Sequence, residues 1–203
     1  MKLYFSPGMC SLHPHITIRE TGVPIELVRV DTRSHRTQDG SDYYAVNPKG
    51  YVPALQLDDG TILTEGAVID QYIADLKPES GMIPAAGTLA RYRVQEWLNF
   101  IASEIHKGYS PLFGSDEAIK EPVRAKLGKR FDLIARTLES QPYLMGETFT
   151  VADAYLFNML TWAPHTGIDL AKWPALQAFF ARVQQRPSVQ AALAAEKAAS
   201  ASR

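Results

Sequence analysis

The sequence predicts a small α/β domain followed by an all-helical one. Two observations carry this: the first 76 residues break into short segments that switch between strand-like alternation and helical spacing, and everything beyond about residue 88 follows helical spacing alone. A third is the stretch between them, residues 78–87, which turns to Pro, Gly, Ser and Ala as a surface linker does. The expected domains are therefore residues 1–77 and 88–203, joined by 78–87.

The first strand is read at Leu3 to Phe5, ended by Pro7 and Gly8. A helix follows from Ser11 to Thr21, punctuated by Gly22 and Pro24, and then a second strand from Glu26 to Asp31. This βαβ unit requires parallel strands, because the crossover helix returns the chain to the same edge. Ala54 to Thr64 alternates apolar and polar residues about Asp59 and Gly60, a hairpin pattern. Val68, Ile69, Tyr72, Ile73 and Leu76 then fall at helical spacing from Gly66 onward, completing the order βαβ-ββα.

Five helices are expected in the second domain, over Leu89 to Leu112, Pro122 to Leu138, Val151 to His165, Trp173 to Arg186 and Ser188 to Lys197. Thr150 and Asp153 form a capping-box pattern ahead of the apolar run that starts at Val151. The Ala- and Ser-rich tail beyond Ala191 is expected to fray.

Composition narrows the function. The 203 residues are 46% hydrophobic, and 21 Lys and Arg against 22 Asp and Glu leave a formal charge of -1. No global basic field is present to attract nucleic acid or an anionic membrane, so a small-molecule function is favoured. Leu3 to Phe5 follow Met1 without a leader pattern, and no apolar run has the length of a membrane span, which points to the cytoplasm. A single cysteine excludes an internal disulfide, a dithiol motif and a Cys-rich metal site.

That cysteine, Cys10, lies between the first strand and the first helix. Helix-end N–H groups aimed at the sulfur favour thiolate, and Ser11 adds a hydroxyl beside it. His13 and His15 read as surface or packing residues. Pro53 follows Val52 at the entry to the third strand. An ordinary trans peptide is the expectation there from base rates, and a cis bond instead exposes the Val52 N–H and C=O to an extended ligand. Glu65 and Gly66 open a helix, where backbone donors suit a carboxylate. In the first long helix Val94, Leu98, Ile101 and Ile105 form a core stripe. Asn99, Ser103, His106 and Lys107 form a polar stripe beside it, which is either solvated or turned to a cleft between the domains.

Four stretches together resemble the cytosolic glutathione transferases, and within them the bacterial beta class: Tyr4 to Ser11, Asn47 to Leu55, Leu63 to Gly66, and Phe149 to Asp153. The most class-specific parts are Cys10 and the run from Trp97 to Lys107, and the likeness spans nearly the whole chain. The resemblance implies a thioredoxin-like first domain that binds glutathione, with its cysteinyl backbone on Val52, a cis Pro53, and its γ-glutamyl end at Glu65 and Gly66. It implies Asn99, Ser103, His106 and Lys107 closing the site from the helical domain, with Cys10 and His106 near the glutathione sulfur as the catalytic pair. At the position where the family usually has Lys this chain has His35, which makes the contact to the glycine carboxylate pH-dependent.

The resemblance further implies conjugation of reduced glutathione to hydrophobic electrophiles, a homodimer, and no metal or organic cofactor beyond glutathione as co-substrate. The electrophile pocket is assigned to Tyr109 to Phe113 and the region from Trp162 to His165. Two alternatives stay open: a glutathione-dependent oxidoreductase or reductive dehalogenase that works through a Cys10 mixed disulfide, and a non-catalytic relative that kept only the fold.

Overall fold

The computed structural model describes residues 1–201 and separates the chain into two compact units, Met1–Met82 with the segment from Arg186 onward, and Ile83–Gln185. In the first unit β1 (Lys2–Phe5), α1 (Leu12–Thr21) and β2 (Glu26–Asp31) form the expected crossover, with β1 and β2 parallel and Leu3 opposite Leu27. A two-residue strand that sequence periodicity cannot resolve, β3 (Arg36–Thr37), pairs antiparallel with β2. Next, β4 (Ala54–Gln56) and β5 (Ile62–Thr64) make the hairpin, its turn closed by the Thr61 N–H on the Asp59 carboxylate at 2.8 Å. The sheet order is β3-β2-β1-β4-β5.

Alternation along β1 builds two cores at once, because successive side chains point to opposite faces. Leu3 and Phe5 join Leu55, Ile18, Ile69 and Ile73 on the face covered by α1 and α2 (Gly66–Asp75). Tyr4 joins Val28, Val30, Ala54, Tyr43 and Val52 on the other. The second face lies under the loop that leads to Pro53.

The last helix departs from the expected second domain of 88–203. It packs on the first unit instead, as α8 (Pro187–Ala201). The reason is a set of polar anchors: Arg186 forks onto Glu20 through Nε at 2.6 Å and Nη2 at 2.9 Å, Ser188 also bonds Glu20, and the Arg29 guanidinium reaches the Ala199 carbonyl at 3.2 Å. Glu196, a carboxylate only 4% exposed, is held between the Gly8 N–H at 2.9 Å and His15 at 3.4 Å. The tail expected to fray is helical through Ala201.

The second unit is helical: α3 (Leu89–Phe100), α4 (Lys107–Tyr109), α5 (Glu117–Leu138), α6 (Val151–Thr161) and α7 (Pro174–Gln184). Residues Val151 to Leu160 of α6 are all buried, so this helix is covered on every side, with α3 and α7 packed against it. Its start is the predicted capping box. Asp153 accepts from the Thr150 N–H at 2.8 Å, the Thr150 hydroxyl at 2.9 Å and the Leu144 N–H at 2.8 Å. Burial outweighs these donors and pushes the Asp153 carboxyl up to about 6.

One expected helix is not uniform. Between α3 and α4, Ile101–His106 is π-helical, and Ser110–Phe113 closes the run as a 3-10 turn. The core stripe of Val94, Leu98, Ile101 and Ile105 survives this widening, each residue 2% exposed or less.

Candidate active site

In the first unit the candidate residues meet at the loop before α1. The Val52-Pro53 bond is cis, and the Cys10 thiol donates to the Val52 carbonyl at 3.1 Å. No hydrogen bond engages the Val52 N–H among the described residues. The trans expectation drawn from base rates is thus overturned, and the cis bond implied by the family resemblance is what the chain has.

The chemistry expected of Cys10 also changes. Burial pushes the half-buried thiol up to about 12, and the charges of Glu65 and Glu196 add to the effect against the pull of its own backbone N–H. A thiolate is therefore not the resting form. The end of α1 does not ionise the sulfur, because the thiol turns to a carbonyl acceptor, while Ser11, the residue before α1, uses its hydroxyl elsewhere: it donates to the Ser6 carbonyl at 3.1 Å and accepts the Ser6 N–H at 3.0 Å. Ser11 shapes the loop and has no bond to the sulfur.

Of the two readings open for His13 and His15, surface or packing, the structure bears out packing. Both lie within α1 at 1% exposure or less, each bound to a carboxylate far away in sequence. His13 Nδ1 pairs with Asp70 at 2.5 Å, and Thr17 donates to the same carboxylate at 2.8 Å. The arrangement supports the start of α2, since the His13 ring lies directly beneath Gly66. A Cβ there would come within 2.5 Å of the ring and 3.3 Å of Pro53. Glycine at this position lets α1, α2 and the cis-Pro loop converge.

Glu65, just before that glycine, adopts a left-handed backbone at φ 67°, rare for a residue with a side chain. Its carbonyl accepts the Val68 and Ile69 N–H groups at 2.9 and 3.0 Å, and its exposed carboxylate meets Lys49 at 2.8 Å. The N–H groups of Gly66 and Ala67 start the helix and have no intrahelical acceptor. His35 is the second such outlier, at φ 52°. Its ring lies 4.5 Å from Tyr44, and its buried Nδ1 has no partner among the described residues.

The polar stripe of the second unit divides. Asn99, Ser103 and Lys107 are exposed, with the Ser103 hydroxyl on the Asn99 carbonyl at 2.9 Å. His106, at the end of the π-helical stretch, instead turns inward to the Tyr155 hydroxyl at 2.6 Å and stands edge-on to Trp162 at 5.1 Å. Tyr109 and Phe113 pack on the same indole, at 5.7 and 5.4 Å between ring centroids, so the two segments assigned to the electrophile do come together. Asp70, Glu196, Tyr155 and Lys49 are the supporting residues that sequence reasoning missed; of these only Lys49 stood inside a recognised motif.

A mixed sheet with a cis-proline loop facing a helix N-terminus defines the first unit as a thioredoxin-like domain, here followed by a helical one. The chain matches the Glutathione S-transferase N-terminal domain over residues 8–76 and the Glutathione S-transferase C-terminal domain over 99–187. It is 48% identical to glutathione S-transferase GstA of Escherichia coli O157:H7, over 97% of this chain and 98% of that one. Among solved structures, a bacterial beta-class glutathione S-transferase of Sphingomonas chungbukensis superposes with TM-score 0.93 at 46% identity, covering 97% and 98% of the two chains. A sphingomonad glutathione S-transferase complexed with glutathione gives 0.94 at 45%, covering 97% and 99%. The chain belongs to the glutathione S-transferase family, on its bacterial beta-class branch.

Proposed function

We propose that this chain transfers glutathione to the electrophilic carbon of hydrophobic small molecules, with glutathione bound along Cys10, Val52, Pro53, Glu65 and Gly66. The observation that carries this is the Val52 backbone: among the described residues its N–H has no partner and its C=O is engaged by a thiol alone. An extended peptide placed there pairs with both groups as an added strand does. The γ-glutamyl carboxylate then meets the free donors at the start of α2, and its ammonium meets Glu65. The unpartnered His35 Nδ1 is the candidate contact for the glycine carboxylate.

In this reaction Cys10 acts as a donor and not as the nucleophile. When the ligand's cysteinyl N–H takes the Val52 carbonyl, the Cys10 S–H is released to donate to the glutathione thiolate. A thiol this weakly acidic serves that role and is a poor attacking group for a mixed disulfide. His106 from the helical unit is the second candidate donor to the sulfur, its ring fixed by Tyr155, while Asn99, Ser103 and Lys107 offer polar contacts on the ligand's exposed side. Large apolar side chains left exposed, Tyr51 and Val68 in one unit and Leu89 and Tyr92 in the other, support a homodimer. One unpaired cysteine suits a reducing, cytoplasmic setting.

The test is steady-state conjugation of glutathione to 1-chloro-2,4-dinitrobenzene by the wild type, Cys10→Ala and His106→Ala, alongside reduction of a small disulfide. Conjugation by the wild type that survives in part in Cys10→Ala and falls further in His106→Ala is expected. Strong disulfide reduction with no conjugation refutes the proposal.

A further inference from the structure

Tyr109 is fully buried, and its hydroxyl has no hydrogen-bond partner among the described residues. A phenol in this state is costly, because the water bonds it gives up on folding are not replaced. Phenylalanine would fill the same space without that cost. Nothing in the packing calls for the oxygen: the ring stacks on Phe113, lies edge-on to Trp162 and sits against Phe131, all of which are apolar contacts. The contrast with Tyr155 sharpens the point, since that hydroxyl is bound to His106 at 2.6 Å.

The surroundings indicate where a partner comes from. Trp162 is the hub on which His106, Tyr109 and Phe113 converge. Of the rings packed on Tyr109, Phe113 is the exposed one, at 56%, and it belongs to a short 3-10 turn and not to a long helix. Phe113 is therefore the ring of this cluster open to solvent, while Phe131 and Trp162 are buried behind it.

We propose that the Tyr109 hydroxyl donates a hydrogen bond to an oxygen of the electrophile, so that this chain selects planar acceptor substrates bearing a nitro or carbonyl oxygen over equally hydrophobic ones without it. The inference rests on the transferase reading above and names the substrate class of that site. An acceptor oxygen gains a bond that the free protein lacks, whereas a hydrocarbon leaves the phenol as it was.

The test compares wild type and Tyr109→Phe on 1-chloro-2,4-dinitrobenzene, which carries nitro oxygens, and benzyl bromide, which carries none. In the variant the ratio of kcat/KM for the first over the second falls about fivefold, the worth of one neutral hydrogen bond. The thermal midpoint holds or rises, because a buried group without a partner has been removed. An unchanged ratio in a wild type that conjugates both compounds overturns this inference alone. A lowered midpoint overturns it as well, by showing that the hydroxyl is satisfied within the folded protein. Conjugation of neither compound by the wild type overturns the transferase reading and this inference with it.

Discussion

Gly66→Ala tests the convergence of α1, α2 and the cis-proline loop. The new methyl group would lie 2.5 Å from His13 Cε1 and 2.6 Å from Nε2, far inside van der Waals contact. Flexible neighbours often give way to such a clash, but this ring is 1% exposed and tied through Nδ1, the atom next to Cε1, to Asp70 at 2.5 Å. Asp70 is itself held by Thr17 at 2.8 Å, so the ring retreats only by breaking a buried pair. Overpacking of a rigid core costs about 1–3 kcal/mol, and leaving buried polar groups without their hydrogen bond adds about 1–3 kcal/mol to whatever strain remains. The cheaper response, a backbone shift of α2, predicts a loss of about 2–3 kcal/mol. In a chain of 203 residues this lowers the thermal midpoint by about 4–12 °C. Urea unfolding monitored by circular dichroism measures it, and glutathione affinity falls in parallel because the donors at Gly66 and Ala67 move. Shortening the ring with His13→Asn, which keeps a donor for Asp70, relieves the clash, so the double variant is less destabilised than the sum of the singles. An unfolding midpoint unchanged by Gly66→Ala, or strictly additive effects, refutes the view that His13 is a fixed support.

Four further outcomes follow from the same geometry. Iodoacetamide reacts with the Cys10 thiolate, and with the thiol pushed from 9.0 up to about 12 its rate at pH 8 is about a thousandfold below that of an ordinary cysteine and climbs with pH without levelling below about pH 10; a plateau near pH 8 contradicts this. Because the folded thiol is a weaker acid than the unfolded one, the contribution of Cys10 to stability is complete below pH 9 and is lost as the pH rises toward 12. Asp153→Ala leaves the Thr150 and Leu144 N–H groups buried without their acceptor and costs about 2–4 kcal/mol in chemical denaturation, while a loss below about 1 kcal/mol counts against the capping box as a folding element. Glu196→Ala removes the carboxylate that joins the Gly8 N–H to His15, so proteolysis of the Pro7 to Cys10 loop and of α8 should accelerate together; acceleration at only one of the two argues against their coupling.

What the sequence made legible was local, and what it hid was distant. The first crossover, the Asp59-Gly60 hairpin and the Thr150-Asp153 cap depend on residues a few positions apart, and their turn chemistry is written in neighbouring side chains. The histidines of α1 could not be read in the same way. Their partners stand 57 and 181 residues away, and a buried histidine shows no pattern of its own. The spacing from Pro187 onward gives a helix but not the core it covers, so α8 was assigned to the wrong unit until Glu20, Arg29 and Glu196 supplied its anchors. The π-helical stretch is a matter of backbone register, which apolar periodicity leaves open, and its effect is to separate His106 from the exposed stripe it shared on paper.

Cys10 shows why position alone did not settle the chemistry. A helix N-terminus favours an anion only where the sulfur receives its donors, yet here the thiol is itself a donor, and two carboxylates add their field. An S–H bond to a carbonyl is weak, so an amide N–H arriving at Val52 replaces it with a net gain. In the proposed reaction that exchange joins binding to activation: the S–H is freed only when the ligand's backbone is in place, and the acceptor nearest to it is then the ligand's own sulfur. A thiol with ordinary acidity would arrive partly ionised and repel that sulfur as a like charge. The weak acidity of Cys10 thus suits a group that must stay neutral to donate, and it predicts that Cys10→Ser, which keeps a hydroxyl donor of higher pKa, retains more conjugating activity than Cys10→Ala. Equal activities in the two variants would remove the donor role from Cys10 and leave the sulfur to His106.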